Sequence, residues 1–229
     1  MRCFVVGNGQ SLALTDLNLL EHEVTFGVNQ CHLIYPNTTW RPTYWLCTDR
    51  DLQMEINEWA ELFFVHEQMG EKCLIAPRHF TRLQALGIPP DELRERFTVL
   101  DACLEHGTRI GRRDFWPAAW HLPQLCIFAG AGLTAIQLAV TMGFDEIYVV
   151  GMDVDYEPWK NNHFTEDYFN FRPYDPEWAR YLAEAQAFAH GLAWRECLGR
   201  GVRIANAGVG GKLEAYPRCE LGSLVTALP

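Results

Sequence analysis

No apolar run in this chain of 229 residues approaches the ~18 needed to span a bilayer. That argues against a transmembrane segment. Eight cysteines stand at 3, 31, 47, 73, 103, 126, 197 and 219, yet none form Cys-x-x-Cys and no Cys/His pair has zinc-ligand spacing. Several lie in apolar strand-like runs, so they read as free buried thiols in a reducing, cytoplasmic compartment. Cations are also in deficit. A net charge of −10 and a pI near 5.2 argue against general nucleic-acid binding and against an anionic membrane surface. Repeats, low-complexity tracts, a P-loop and a Gly-x-Ser-x-Gly elbow are all missing. The amino end reads as a core strand rather than a signal peptide.

What is present is a globular composition, 48% apolar and 21% charged, organised around its first turn. The apolar run 3–6 ends in Gly7-Asn8-Gly9, with Ser11 after it. This reads as a buried strand delivering a glycine turn to a sheet's carboxyl edge, where backbone approaches a ligand and a helix amino end favours phosphate. A dinucleotide fingerprint would need a third glycine where Leu12 stands and an acid after the second strand, where Asn29 stands. An asparagine both donates and accepts, which suits a base edge or a single hydroxyl.

Further strands are expected over 24–28, 41–47, 72–76, 146–151 and 202–205, with another short apolar run at 63–65. Helical spacing covers 52–62, 81–86, 90–96, 133–142 and 176–198. The alternation predicts one α/β domain over 1–229, a mostly parallel, Rossmann-like sheet with helices on both faces. Irregular stretches at 101–124 and 156–176 read as a lid or acceptor-side insertion. Ligands of such sheets sit beyond the strands' carboxyl ends. That rule gathers Asn8, Asn29, Asp49, Gly130, Asp153, Asn206 and Gly210 into one crevice.

Several motifs together resemble the hydroxymethylpterin diphosphokinase (MptE)-like family: 7–12, 25–29, 41–44, 142–153, His163-Phe164 with Tyr168-Phe169, and 206–218. More distantly, the chain is similar to the bacterial CMP-sialic-acid-dependent sialyltransferases. The shared marks are Gly-Asn-Gly-x-Ser-Leu at 7–12, Asn29-Gln30, and the glycine, apolar helix and Glu-Ile-Tyr strand of 132–153. That resemblance implies inverting glycosyl transfer from a nucleotide-activated, CMP-linked sugar to a glycan or small-molecule acceptor. It implies Asn8 and Asn29 on the nucleotide, His163 as general base, and Tyr156 and Tyr168 on the leaving phosphate. No cofactor is required on this reading.

The residues fit that chemistry on their own terms. Neutral histidine suits proton abstraction near pH 7, and hydroxyls or backbone N–H groups can meet leaving-group charge. The nucleotide site would be Gly7, Asn8, Gly9, Ser11, Asn29, Asp49, Gly130, Ala131, Gly132, Asp153, Asn206 and Lys212. Lys212 and Arg218 flank the last glycine turn and suit phosphate or a sugar carboxylate. Asp153 and Asp155 either cap a turn or, in a pyrophosphokinase using ATP, hold Mg²⁺. Trp116, Trp120 and Trp159 are candidates for stacking on an acceptor. A third alternative is a non-catalytic nucleotide-binding module, its long helix 176–198 serving a homo-oligomer.

Overall fold

The computed structural model describes residues 1–48, 63, 65–66, 72–100, 102–103, 119–127, 130–168 and 174–225. Seven parallel strands form the main sheet: β1 (Arg2–Val6), β2 (Thr25–Val28), β3 (Tyr44–Cys47), β4 (Lys72–Ile75), β5 (Thr98–Val99), β8 (Glu146–Val150) and β9 (Arg203–Asn206). Their order is β5-β4-β3-β2-β1-β8-β9. A separate parallel pair joins β6 (Ala102–Cys103) to β7 (Leu125–Cys126). The chain therefore winds outward from β1 in one direction, then returns to β8 and winds outward in the other. The gap between β1 and β8 is the topological switch point, where carboxyl-end loops diverge and leave a crevice.

Strand residues alternate between two cores, as the pleat requires. Phe4, Val6, Trp45, Cys47, Tyr148 and Val150 face one side, with Leu83 of α1 (Pro77–Ala85), Leu93 of α2 (Pro90–Arg96) and Leu221 of α5 (Leu221–Val225). Cys3, Val5, Phe26, Val28, Ile147 and Val149 face the other, under α3 (Ala131–Thr141) and α4 (Pro176–Gly199). Helices thus cover both faces, and the expected doubly wound α/β architecture is the one observed. β1 and β8 match from Arg2↔Glu146 to Val6↔Val150, so the two strands end level at the crevice.

Local chemistry adjusts several boundaries. β3 starts at Tyr44 rather than 41, because Pro42 cannot donate to a ladder. Gly27 accommodates that proline, since a Cβ there would lie 3.0 Å from its ring. α1 begins earlier than the spacing suggests, at Pro77, where a missing N–H costs nothing. Phe63 and Val65 are helical. α4 is capped by Asp175, whose carboxylate accepts from Trp178 N at 2.8 Å. It closes through Gly201, at φ 72. Seven cysteines among the described side chains are thiols rather than disulfides, and six of them are buried. Burial pushes the Cys3 and Cys197 thiols up to about 12.

The helix expected over 52–62 lies outside the described residues, as do most of 101–124, Trp116 and positions 169–173. Within the remainder of those stretches, Trp120 is a correction to the acceptor reading. It is 7% exposed and belongs to the core cluster on the α3 and α4 side of the sheet, so its ring has no open face for a sugar.

Candidate functional site

Two short turns meet at the switch point, and their glycines explain how closely. A Cβ on Gly7 would lie 2.6 Å from the Gly151 carbonyl oxygen, and one on Gly9 would lie 2.6 Å from the Asp153 carboxylate. The Gly7 and Gly9 N–H groups donate to Val150 O and Gly151 O, each at 2.8 Å. Their close approach is therefore to the chain's own β8 turn. Asp153 completes the clasp. One carboxylate oxygen accepts from Ser11 N at 2.7 Å and the other from Ser11 Oγ. Gly211, at φ 77, lies against the Asp153 backbone, and Lys212 N donates to Asp153 O. Asp155 is paired with the Lys212 ammonium, which is 69% exposed. Between the two anchored aspartates Val154 is held at φ 51, a strained value for a β-branched residue.

The next turn, at β9, is likewise satisfied internally. Asn206 Nδ2 donates to Leu213 O and its Oδ1 accepts from Gly208 N. Arg218 donates to Gly208, Gly210 and Gly211 carbonyls and braces the loop. Gly210 faces Ser11 at 3.2 Å from the Cβ position, which ties β9's turn to β1's.

A different situation holds at the ends of β1, β2 and β3. Asn8 Nδ2 donates to Val28 O at 2.8 Å and to the Tyr168 hydroxyl at 2.9 Å, but its Oδ1 is buried with no partner among the described residues. Asn29 takes φ 47, which asparagine tolerates. Its backbone is locked to β3 through Leu46 O and Trp45 Nε1, while its Oδ1 is also buried and has no partner among the described residues. Thr48 Oγ1 repeats the pattern one strand further on. The three residues are 8%, 8% and 2% exposed. Unpaired buried acceptors cost about 1–3 kcal/mol each, so three in a row at one sheet edge mark a place where hydrogen-bond donors are expected to bind. Thr48 is the residue that sequence reasoning passed over in favour of Asp49, which lies outside the described residues.

His163 completes this group. Its ring stacks on Tyr168 with centroids 3.8 Å apart, and Nδ1 lies 3.3 Å from Asn8 O. A carbonyl only accepts, so Nδ1 carries the proton of the neutral ring and Nε2 keeps the lone pair. Phe164 N donates to the same carbonyl at 3.1 Å, and Gln10 Nε2 donates to Asn161 O. The 161–168 segment is thereby pinned over the β1 turn. Burial pushes the His163 imidazole down to about 4, against a smaller upward pull from Asn8 O. It is uncharged at neutral pH.

Gly130 opens α3 at φ 101 with no side-chain cap, so the first N–H groups of the helix, at Ala131 and Gly132, have no capping side chain. Met152 bridges this helix to the β1 turn: Cβ positions on Gly7 and Gly132 would lie 2.9 and 2.5 Å from its side chain. Asn8, Asn29 and Gly132, far apart in sequence, thus share one rim.

The fold is similar to that of three solved glycosyltransferases. The MAf glycosyltransferase from Magnetospirillum magneticum AMB-1 is similar over 100% of this chain, at 15% identity and a TM-score of 0.53. This chain spans about a third (34%) of that protein's length. Sialyltransferase CstII from Campylobacter jejuni, solved with the substrate analogue cytidine-5′-monophosphate, is similar over 95% of this chain and 84% of its own, at 12% identity and TM-score 0.51. The monofunctional α-2,3-sialyltransferase Cst-I from the same organism is similar over 96% and 80%, at 14% identity and TM-score 0.54. No family model matches the chain. No curated protein sequence matches it either. The sialyltransferase-like fold is therefore established, and an MptE-like relationship is not shown.

The remaining candidates are dispersed around that rim. Tyr156 lies beside Tyr174, ring centroids 6.2 Å apart, and Trp159 is 63% exposed at φ 62. No group of three or more metal-ligating side chains occurs among the described residues. No described helix is long and apolar enough to cross a membrane.

Proposed function

We propose that this chain is a glycosyltransferase that takes an activated sugar from a nucleotide, CMP in the favoured form, and transfers it with inversion. The observation that carries the proposal is His163: neutral, tautomerically set by Asn8 O, stacked on Tyr168, and packed on Asn8, the first of three strand-end residues whose buried oxygens have no partner among the described residues. In this reading His163 Nε2 takes the acceptor hydroxyl's proton as that oxygen attacks the anomeric carbon and the bond to the nucleotide phosphate breaks. An incoming phosphate would raise the affinity of His163 for that proton. Asn8 Oδ1, Asn29 Oδ1 and Thr48 Oγ1 accept from ribose hydroxyls or a base amine. The α3 amino end and the hydroxyls of Tyr156 and Tyr168 meet the leaving phosphate. Lys212 joins them on leaving Asp155.

The pyrophosphokinase alternative would route Mg²⁺ through Asp153 and Asp155. Both Asp153 oxygens already accept from Ser11, and Asp155 holds Lys212, so this donor set fits a clasp better than a metal site. A thermal-shift screen of CMP, CDP, UDP, GDP, AMP and ATP, each with and without Mg²⁺, tests the choice. CMP should stabilise the chain without Mg²⁺. Asn29→Gly, which keeps the backbone conformation and removes Oδ1, should weaken CMP by about tenfold. Stabilisation by ATP only with Mg²⁺ would favour the kinase instead.

A further inference from the structure

The 161–168 segment carries His163 and Tyr168, and it also walls a second feature. A cavity of about 500 Å³ opens between this segment, the turn after β1 and the turn after β2. Its polar lining includes Asp16, Asn18, Asn37, Thr38 and Asp167, beside apolar residues that include Leu17 and Ile34. The volume falls within the range of small-molecule sites.

Its walls are fixed before anything binds. Asp16 Oδ1 accepts from Asn18 N and Nδ2 at 3.1 and 2.9 Å. Asn18 Oδ1 in turn accepts from Thr38 Oγ1, Thr39 N and Thr39 Oγ1, at 2.9, 2.9 and 3.0 Å, and so joins the two turns. Thr15 Oγ1 donates to Ser11 O at 3.0 Å, which ties this wall to the residue clasped by Asp153. Among the described lining residues the charged ones are Asp16 and Asp167, with no Lys, Arg or His. A phosphate, sulfate or carboxylate would meet like charge there. Hydroxyls would meet carboxylate, amide and threonine oxygens, and the C–H face of a sugar would meet the leucine and isoleucine.

We infer that this cavity is the acceptor subsite and takes a sugar bearing no acidic group. The inference rests on the glycosyltransferase reading for the word acceptor; the cavity's preference for uncharged or amino sugars rests on its lining alone.

Methyl galactoside, methyl glucosaminide and methyl glucuronide, titrated separately into the full chain and followed by saturation-transfer NMR without nucleotide, test that preference. The first two should bind and the glucuronide at least tenfold more weakly. Asn37→Trp, a substitution at an exposed position, should abolish sugar binding, and Asp167→Lys should bring the glucuronide level with the galactoside. Neither should alter stabilisation by CMP. In a transfer assay Asn37→Trp should raise the acceptor KM at least tenfold and leave the donor KM unchanged. Equal binding of all three sugars, no binding of any, or binding indifferent to Asn37→Trp would overturn the cavity's role. Sugar binding that behaves as described in a chain that no nucleotide stabilises would instead refute the transferase reading.

Discussion

The two halves of the carboxyl rim are built from the same residue types and behave oppositely. On the β1–β8–β9 side, glycines, aspartates and Asn206 satisfy one another: Gly7 against Gly151, Ser11 on Asp153, Lys212 on Asp155. On the β1–β2–β3 side, Asn8, Asn29 and Thr48 each bury an oxygen with no partner among the described residues. A glycine at a strand end therefore signals close approach without naming what approaches. An unpartnered buried acceptor is the sharper mark of a binding site, because it costs stability until something donates to it. Asn8 stands on the boundary, its main chain flanked by clasped glycines and its side chain turned to the open half.

This contrast can be broken by experiment. The largest effect belongs to the open half: His163→Ala should cut transfer by about 10²–10⁴-fold, with CMP affinity within about threefold of the parent in calorimetry. Loss of affinity equal to loss of turnover would make His163 a binding residue. Next is the closed half, where Gly7→Ala drives a methyl into Gly151 O. It should cost about 1–3 kcal/mol in urea unfolding, against little change for an exposed glycine such as Gly199, whose Cβ position is open and whose φ is not left-handed.

Acid should weaken both halves together. Burial holds His32 and His163 at about 4 and His190 at about 3, below the ~6.5 of an unfolded histidine. Between those values the unfolded chain binds more protons, so stability is full above about pH 6.5 and falls as pH drops toward 4. Urea midpoints measured from pH 7.5 to 4.5 should show the decline. A ligand phosphate beside His163 should reduce it, whereas His190, bonded to Tyr216 at 2.8 Å in the core, should not respond. The smallest effect is Lys212→Ala. Its exposed ion pair with Asp155 is screened by solvent, so the urea midpoint should stay almost unchanged. A fall in CMP affinity that deepens at low salt would show that the lysine swings to the phosphate.

Much of the architecture was legible because periodicity and turn chemistry are local. The apolar run 3–6, the Glu-Ile-Tyr strand and the α4 pattern each declare their element within a few residues, and β1, β8 and α4 stand where expected. Trp120 was misread for the opposite reason. An aromatic in an irregular stretch looks available for stacking, and only the packing on the α3 and α4 side of the sheet shows that it is buried. The Asp153/Asp155 pair carries two readings that no spacing rule separates, and its contacts with Ser11 and Lys212 arise only across the fold. Thr48 gave no signal, since a hydroxyl after a buried strand is commonplace until its partners are counted.

By itself, then, the order of apolar runs, glycines and capping residues determined a parallel α/β sheet and the ends of its strands, since backbone preference and side-chain alternation act over neighbours. Which of those ends clasp each other and which keep an unanswered acceptor was decided by the tertiary structure alone. Hydrogen-bond satisfaction is a property of residues brought together across more than a hundred positions of chain.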